Sequence, residues 1–421
     1  MKGQRPAAPP VRAGEQARRE GGVRPLVPCA SLAVALLAPV LAGCLVPVAP
    51  AKPPPPSRPA PAVSAPAAPQ GAPAPAPTVV QEAAPAQEVG AVKILDEDTA
   101  STPLAAGRSL VDVRVPASSF VSIGVFGERH ALLGFDVIEV ARAEDAAPLE
   151  GALAPVRARR PLDEDGLLPR IVSFRSPPEP VVVRILVDAA EAVELRRVAA
   201  PLIDAVPIPK KGKPPPLVPG PVIGFPAPAS RDDGYFLQSA ARYQFARTDV
   251  IAALVLAFRK TRVRFRRDPI AIADISQWDG IRPATDLGLP RHISHEGGRD
   301  VDVALAASDE EPSTVRAHCT GVLVEQSVQG CGPGTARGFD AQRMAYFLGV
   351  LFETMPPVEK IFVDDVYLRE LRRAAEALHD RRLLKDAGFV GLHDDAIVRA
   401  SPWHTDHLHV RFAGPAGKAS F

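Results

Sequence analysis

Five of the nine histidines in this chain fall in two short segments, His292-Ile-Ser-His295 and Trp403-His404-Thr-Asp-His407-Leu-His409. Imidazoles and carboxylates at such spacing are the usual ligands of a transition-metal ion, zinc in particular. After the first segment, Gly297-Gly298 lead into Arg299-Asp300-Val301-Asp302-Val303. Val301, Val303 and Leu305 alternate as one face of a strand, so Asp300 and Asp302 share the other. His295 sits in the glycine-rich turn before that strand and can fold back beside it, bringing one imidazole and one carboxylate toward a cation. In the second segment Leu408, Val410 and Phe412 form an apolar face, and His407, His409 and Arg411 the opposite one. One ring of such a His-x-His pair can take a metal while the other stands beside it. Two histidines and a carboxylate leave a tetrahedral zinc one open position, where the ion lowers the pKa of water and polarises a carbonyl. His295-Glu296 is not the start of a helical His-Glu-x-x-His motif, because the fifth residue is Arg299 and the glycine pair opposes a helix there. His130, His318, His379 and His393 stand alone and read as ordinary residues.

The elements that must position this cluster belong to the last of several regions of different texture. Residues 232–415 read as mixed α and β, so the fold class is α+β: a small antiparallel sheet flanked by helices. Ile251, Leu254, Val255 and Phe258 recur at helical spacing, with Thr248 or Asp249 as the N-cap. Met344, Phe347, Leu348 and Leu351 repeat that spacing, while Ile270–Ile275 and Val358–Val363 read as strands. Residues 92–205 alternate instead, through Val111/Val113/Val115, Val121/Ile123/Val125, Phe135–Val140, Ile171–Phe174 and Val181–Val187. Six or so short strands without a helix predict a β-rich accessory domain, an antiparallel sandwich or barrel, with no chemical constellation of its own. Between the two, residues 206–231 form a proline-rich linker.

The 48 prolines of the 421 residues concentrate there and in residues 44–91, a Pro/Ala-rich tether that cannot bury a core. Ahead of it, Arg12, Arg18, Arg19 and Arg24 precede an uncharged apolar run that holds Leu41-Ala-Gly-Cys44. A basic region, an apolar core and a small-residue cleavage site describe a secretory signal over residues 1–43. Its Gly43-Cys44 ending resembles the bacterial lipobox, with Cys44 as the lipidated residue. Four prolines in the run make a membrane-spanning helix a poor alternative. The expectation is a lipid-anchored protein facing the periplasm, held to a membrane, the outer one by preference. In that oxidising compartment Cys319 and Cys331 read as a disulfide. A formal net charge of +1 gives no reason to expect nucleic acid as a partner.

The paired motifs, His-x6-Asp at His295/Asp302 and His-x-His at His407/His409, resemble the superfamily of lysostaphin-type peptidases, D-Ala-D-Ala metallopeptidases and hedgehog domains. The fuller text resembles one branch of it more, the penicillin-insensitive murein endopeptidases. The similar stretches are Asp274-Ile-Ser-Gln277, His292-Ile-Ser-His295, Gly298-Arg-Asp-Val-Asp302, Val358–Val363 and Trp403–Phe412, across roughly 180 residues of the C-terminal region. The resemblance implies one zinc held by His295, Asp302 and His409, with His407 as general base and His404 orienting substrate or stabilising an oxyanion. His292, Asp340 and Ser276 are candidate accessory metal or substrate contacts. No histidine partners Asp340, so a second ion is not expected. Trp278-Asp279-Gly280 departs from the arginine and glycines that relatives place after the Asp-x-Ser-Gln segment. The implied reaction is hydrolysis of the D-alanyl–meso-diaminopimelyl cross-link of peptidoglycan. The alternatives are a zinc D-Ala-D-Ala carboxypeptidase acting on uncross-linked stems and a non-catalytic lipoprotein that binds the cell wall.

Overall fold

The computed structural model describes residues 92–421 apart from 97–98, 150–166, 210–217, 310–311, 320–321, 326–327, 332–335 and 420. These residues belong to one compact unit. The signal segment, Cys44 and the Pro/Ala-rich tether lie outside the described residues.

The chain is α+β. Its first part holds strands β1 (Lys93–Leu95), β2 (Ser101–Leu104), β3 (Gly107–Val115), β4 (Ser119–Phe126), β5 (Leu132–Arg142), β6 (Arg170–Arg175), β7 (Val181–Ala189) and β8 (Val193–Pro201). They form two four-stranded sheets, ordered β1-β3-β7-β5 and β2-β8-β4-β6, whose inner faces share one apolar core. The alternation of β7 is typical: Val181, Val183, Ile185 and Val187 point inward, and polar or half-exposed residues stand between them. The pairing is antiparallel except at the edge, where β1 runs parallel to β3.

The second part contains β9 (Val206–Pro207), β10 (Val222–Gly224), β11 (Tyr235–Leu237), β12 (Phe245–Arg247), helix α1 (Thr248–Phe265), β13 (Ile270–Ile272) and β14 (Asp300–Ala304). After these come β15 (Val322–Glu325), β16 (Val328–Cys331), α2 (Ala341–Leu351), β17 (Thr354–Met355), β18 (Val358–Val363), α3 (Asp365–Asp380), α4 (Asp386–His393), β19 (Val398–Ala400) and β20 (His407–Phe412). Six strands make one mixed sheet in the order β11-β13-β14-β20-β18-β19, antiparallel through its centre and parallel at its two edge pairs. Val301 and Val303 of β14 and Leu408, Val410 and Phe412 of β20 share a core with Leu254 and Phe258 of α1 and Met344 and Phe347 of α2. The helices therefore cover one face of this sheet.

Several expectations need adjusting. Neither Thr248 nor Asp249 caps α1: the helix begins at Thr248, Arg247 occupies the cap position in extended backbone, and the Asp249 carboxylate turns back to the Arg247 guanidinium at 3.0 Å. The strand expected over 270–275 ends at Ile272. The proline-rich stretch is paired at both of its described ends, β9 with β17 and β10 with β12. The Gly224 N–H donates to Ser122 Oγ at 3.0 Å, and a Cβ on Gly224 would lie 1.9 Å from Ser173 Oγ, so only glycine lets β10 approach the sandwich this closely. A disulfide joins Cys319 to Cys331, with Cα atoms 5.6 Å apart. Among the described residues no helix is long and apolar enough to cross a membrane.

Candidate metal centre

Strands β14 and β20 are hydrogen-bonded neighbours in a register that sets Asp302 opposite His409, Asp300 opposite Arg411 and Ala304 opposite His407. Alternation sends Val301, Val303, Leu408 and Val410 to the helices, so Asp300, Asp302, His407 and His409 project from the other face. His295 comes from the turn before β14 with φ 75°, a left-handed conformation that a side-chain-bearing residue adopts at a cost. The turn continues through Gly297 and Gly298, both at positive φ, and a Cβ on Gly298 would meet Ala246 Cα at 2.7 Å. His295 is wholly buried, and its Nδ1–H donates to the Ile275 carbonyl at 2.7 Å. That bond leaves Nε2 with a free lone pair aimed at the strands.

Three atoms then converge. His295 Nε2 lies 3.0 Å from His409 Nδ1, and Asp302 Oδ1 lies 3.2 Å from each. The outer nitrogen of His409, Nε2, meets Asp300 Oδ1 at 2.9 Å, which reserves Nδ1 for the centre of the cluster. Asp302 Oδ1 is buried and has no hydrogen bond among the described residues. Ligand atoms set tetrahedrally at about 2.0–2.2 Å from zinc stand roughly 3.3–3.6 Å apart, a few tenths of an ångström more than the edges of this triangle. Two imidazole nitrogens and a carboxylate oxygen facing one another need a shared cation or a shared proton. The donor set thus fits a zinc-like divalent ion.

His292 borders the same cluster, and its ligand atom with those of His295 and Asp302 all lie within 4.8 Å of one another. Its commitments are looser toward the centre: Nε2 bonds Asp274 Oδ2 at 2.8 Å and Nδ1 stands 3.8 Å from the second oxygen of Asp302. The tighter triangle is the one closed by His409.

Charge follows from this geometry. Burial alone would neutralise Asp302, but the surrounding His295 and His407 hold its carboxyl well below the usual range. Burial likewise disfavours a charged His409, yet its hydrogen bond to Asp300 and the charge of the adjacent Asp302 carboxylate raise its pKa to about 9. His407 points Nε2 at Asp302 Oδ1 from 3.6 Å, farther than the 3.2 Å of His295 and His409, while its Nδ1–H donates to Asp406 Oδ1 at 2.6 Å. Burial opposes its protonation, and Asp302 and Asp406 outweigh that and raise its pKa. His404 is pushed the other way, to about 3, first by burial and then by the neighbouring His407 and His409. Its ring stacks on Phe362, and Nδ1 meets Ser401 Oγ at 2.7 Å.

Two candidates lie outside this arrangement. Ser276 is buried and donates to the Phe245 carbonyl at 2.7 Å. Asp340 is the N-cap of α2, its carboxylate accepting from the Arg343 N–H at 3.0 Å. Conversely, the sequence reading left out Asp406 as the partner of His407, Asp300 as the partner of His409, and Asp274 with Arg291, 2.9 Å apart, behind His292.

No protein-family model matches this chain, and no curated protein matches it. One solved structure, Aeromonas hydrophila PliG, a periplasmic lysozyme inhibitor of g-type lysozyme, is aligned at 15% identity and a TM-score of 0.15, covering 26% of this chain and all of that one. A likeness at that level carries no argument about this chain.

Proposed function

We propose that this protein is a zinc-dependent peptidase that opens peptidoglycan cross-links. The observation that carries the reading is the buried triangle of His295 Nε2, Asp302 Oδ1 and His409 Nδ1 with a second, differently tuned histidine beside it. Zinc held there would supply Lewis acidity toward a peptide carbonyl and bring the pKa of water toward neutrality. His407 Nε2 accepts the proton, because Asp406 fixes Nδ1 as the protonated nitrogen and favours the imidazolium that results. His404 stays neutral near pH 7; when the Ser401 hydroxyl donates to Nδ1, the ring presents Nε2–H as an oxyanion donor. No side-chain nucleophile is needed, so β-lactams have nothing to acylate.

The substrate class is argued from the resemblance of the motif text to murein endopeptidases and from the secretory signal expected at residues 1–43, which would bring the chain to the wall. On this reading it is a lipid-tethered periplasmic enzyme. Chromatography of purified cross-linked muropeptides, incubated with the protein with and without chelator, tests the proposal. Dimers should convert to monomers, and chelator should stop the conversion. Trimming of pentapeptide monomers with dimers intact would instead make it a carboxypeptidase. No change in either would leave a wall-binding protein and overturn the enzymatic reading.

A further inference from the structure

On the helical side of the six-stranded sheet, α1 ends in a run that the metal centre does not use. Arg259, Lys260, Arg262, Arg264, Arg266 and Arg267 fall within nine residues. Val250, Ile251, Leu254 and Phe258 of this helix are buried in the core, whereas Arg259, Lys260, Val263 and Arg264 face outward. Arg259, Lys260, Arg264 and Arg266 line a cleft of about 590 Å³ together with Tyr346 and Lys385.

Some of these charges are answered. Arg259 pairs with Asp233 at 2.7 Å, Lys385 with Glu353, and Arg262 with the exposed Asp232 at 3.6 Å. Lys260, Arg264 and Arg266 have no ion-pair partner among the described residues. A helix C-terminus favours a cation in its last turn, but its partial charge does not call for six. The crowding is felt next door: burial, and then repulsion from Arg262 and Arg267, lowers the pKa of Arg343 to about 10. Amid these cations Val263 is 74% exposed. Unanswered guanidinium groups around a bare aliphatic side chain are suited to a surface that offers phosphates above apolar chains.

We propose that this cleft is a docking surface for the headgroups of anionic phospholipids. Phosphates enter between Lys260, Arg264 and Arg266, and Val263 meets the boundary beneath them. The metal cluster projects from the opposite face of the same sheet, so a chain docked in this way turns that cluster away from the bilayer. The proposal does not depend on the enzymatic reading.

The test is sedimentation of the full chain with vesicles of equal parts phosphatidylglycerol and phosphatidylcholine, and with phosphatidylcholine alone. The parent is compared with Lys260→Gln/Arg264→Gln/Arg266→Gln, which carries the same N-terminus, so whatever that segment contributes cancels in the ratio. Thermal melting of both proteins reports that the variant folds. The parent should partition onto the anionic vesicles about a hundredfold more strongly than the variant at low salt, and equally on the neutral ones. Equal partition of the two proteins on anionic vesicles overturns the proposal. So does release of the parent by inorganic phosphate at the concentration of lipid phosphate, since the cleft would then be a site for the free anion. Charge-dependent retention on purified sacculi without binding to vesicles would assign the cleft to the wall polymer and equally overturn it.

Discussion

Strand β7 of the sandwich and strands β14 and β20 of the six-stranded sheet follow the same two-residue alternation, and they use it for opposite ends. In β7 the polar positions look outward: Arg184 bridges Asp112 at 2.7 Å and Glu139 at 2.9 Å, partly in solvent, where such pairs contribute little. In β14 and at the centre of β20 the polar positions are also covered, so Asp300, Asp302 and His409 are almost wholly buried, while His407 and Arg411 are partly exposed. Burying carboxylates costs far more than exposing them unless cations or donors meet them. Here Asp300 Oδ1 is hydrogen-bonded by the His409 imidazole and the Arg411 guanidinium, whereas Asp302 Oδ1 faces the imidazole nitrogens of His295 and His409 without a hydrogen bond. The contrast teaches that alternation finds strands, while the burial of the second face separates a scaffold from a site.

Substitutions on the two sides of this contrast should behave differently. The largest effect belongs to His409→Ala, which removes one of the three proposed ligand atoms and should abolish dimer hydrolysis, a fall of more than about a thousandfold measured on muropeptides. His407→Ala should lower turnover by about a hundred- to ten-thousandfold while leaving the metal content of the purified protein unchanged. Loss of metal from that variant would show that His407 is a ligand and not the base.

A pH series sharpens the same comparison. In the metal-free chain His409 is raised from 6.5 to about 9, so its proton favours the folded state below pH 6.5, and that contribution is lost as pH rises toward 9. A metal must displace that proton, so apparent zinc affinity should rise with pH through this window, by about tenfold per unit at its steepest. Competition with a chelator indicator at several pH values measures it; an affinity that stays flat between 6.5 and 9 would remove His409 from the ligand set. The smallest effect belongs to the sandwich. Arg184→Ala should cost at most about 1 kcal/mol in chemical denaturation and leave metal content and hydrolysis as they were.

Much of the site was legible because strand alternation is local. It put His407 with His409 and Asp300 with Asp302 before any pairing was known. The register that sets Asp302 against His409 was not legible, since it depends on pairing between strands more than a hundred residues apart. Asp406 was readable as the neighbour of His407 and was overlooked in favour of the histidines. Asp340 carried a competing signal: an aspartate directly before the helical repeat of Met344, Phe347 and Leu348 marks an N-cap, and the structure uses it as one. The proline-rich stretch near residue 220 read as a spacer because composition favours extended backbone. Extended backbone also suits short edge strands, and β9 and β10 are that. The sandwich strands emerged readily, but the parallel edge pairing of β1 did not, because a three-residue strand leaves almost no periodicity to read.

The most direct measurement is a zinc titration of the metal-stripped protein beside its Asp302→Ala variant, followed by calorimetry at neutral pH. One equivalent bound tightly by the parent, and none by the variant, is the result expected of a centre built on His295, Asp302 and His409. Failure of the parent to bind zinc, or equal binding by both, would contradict it.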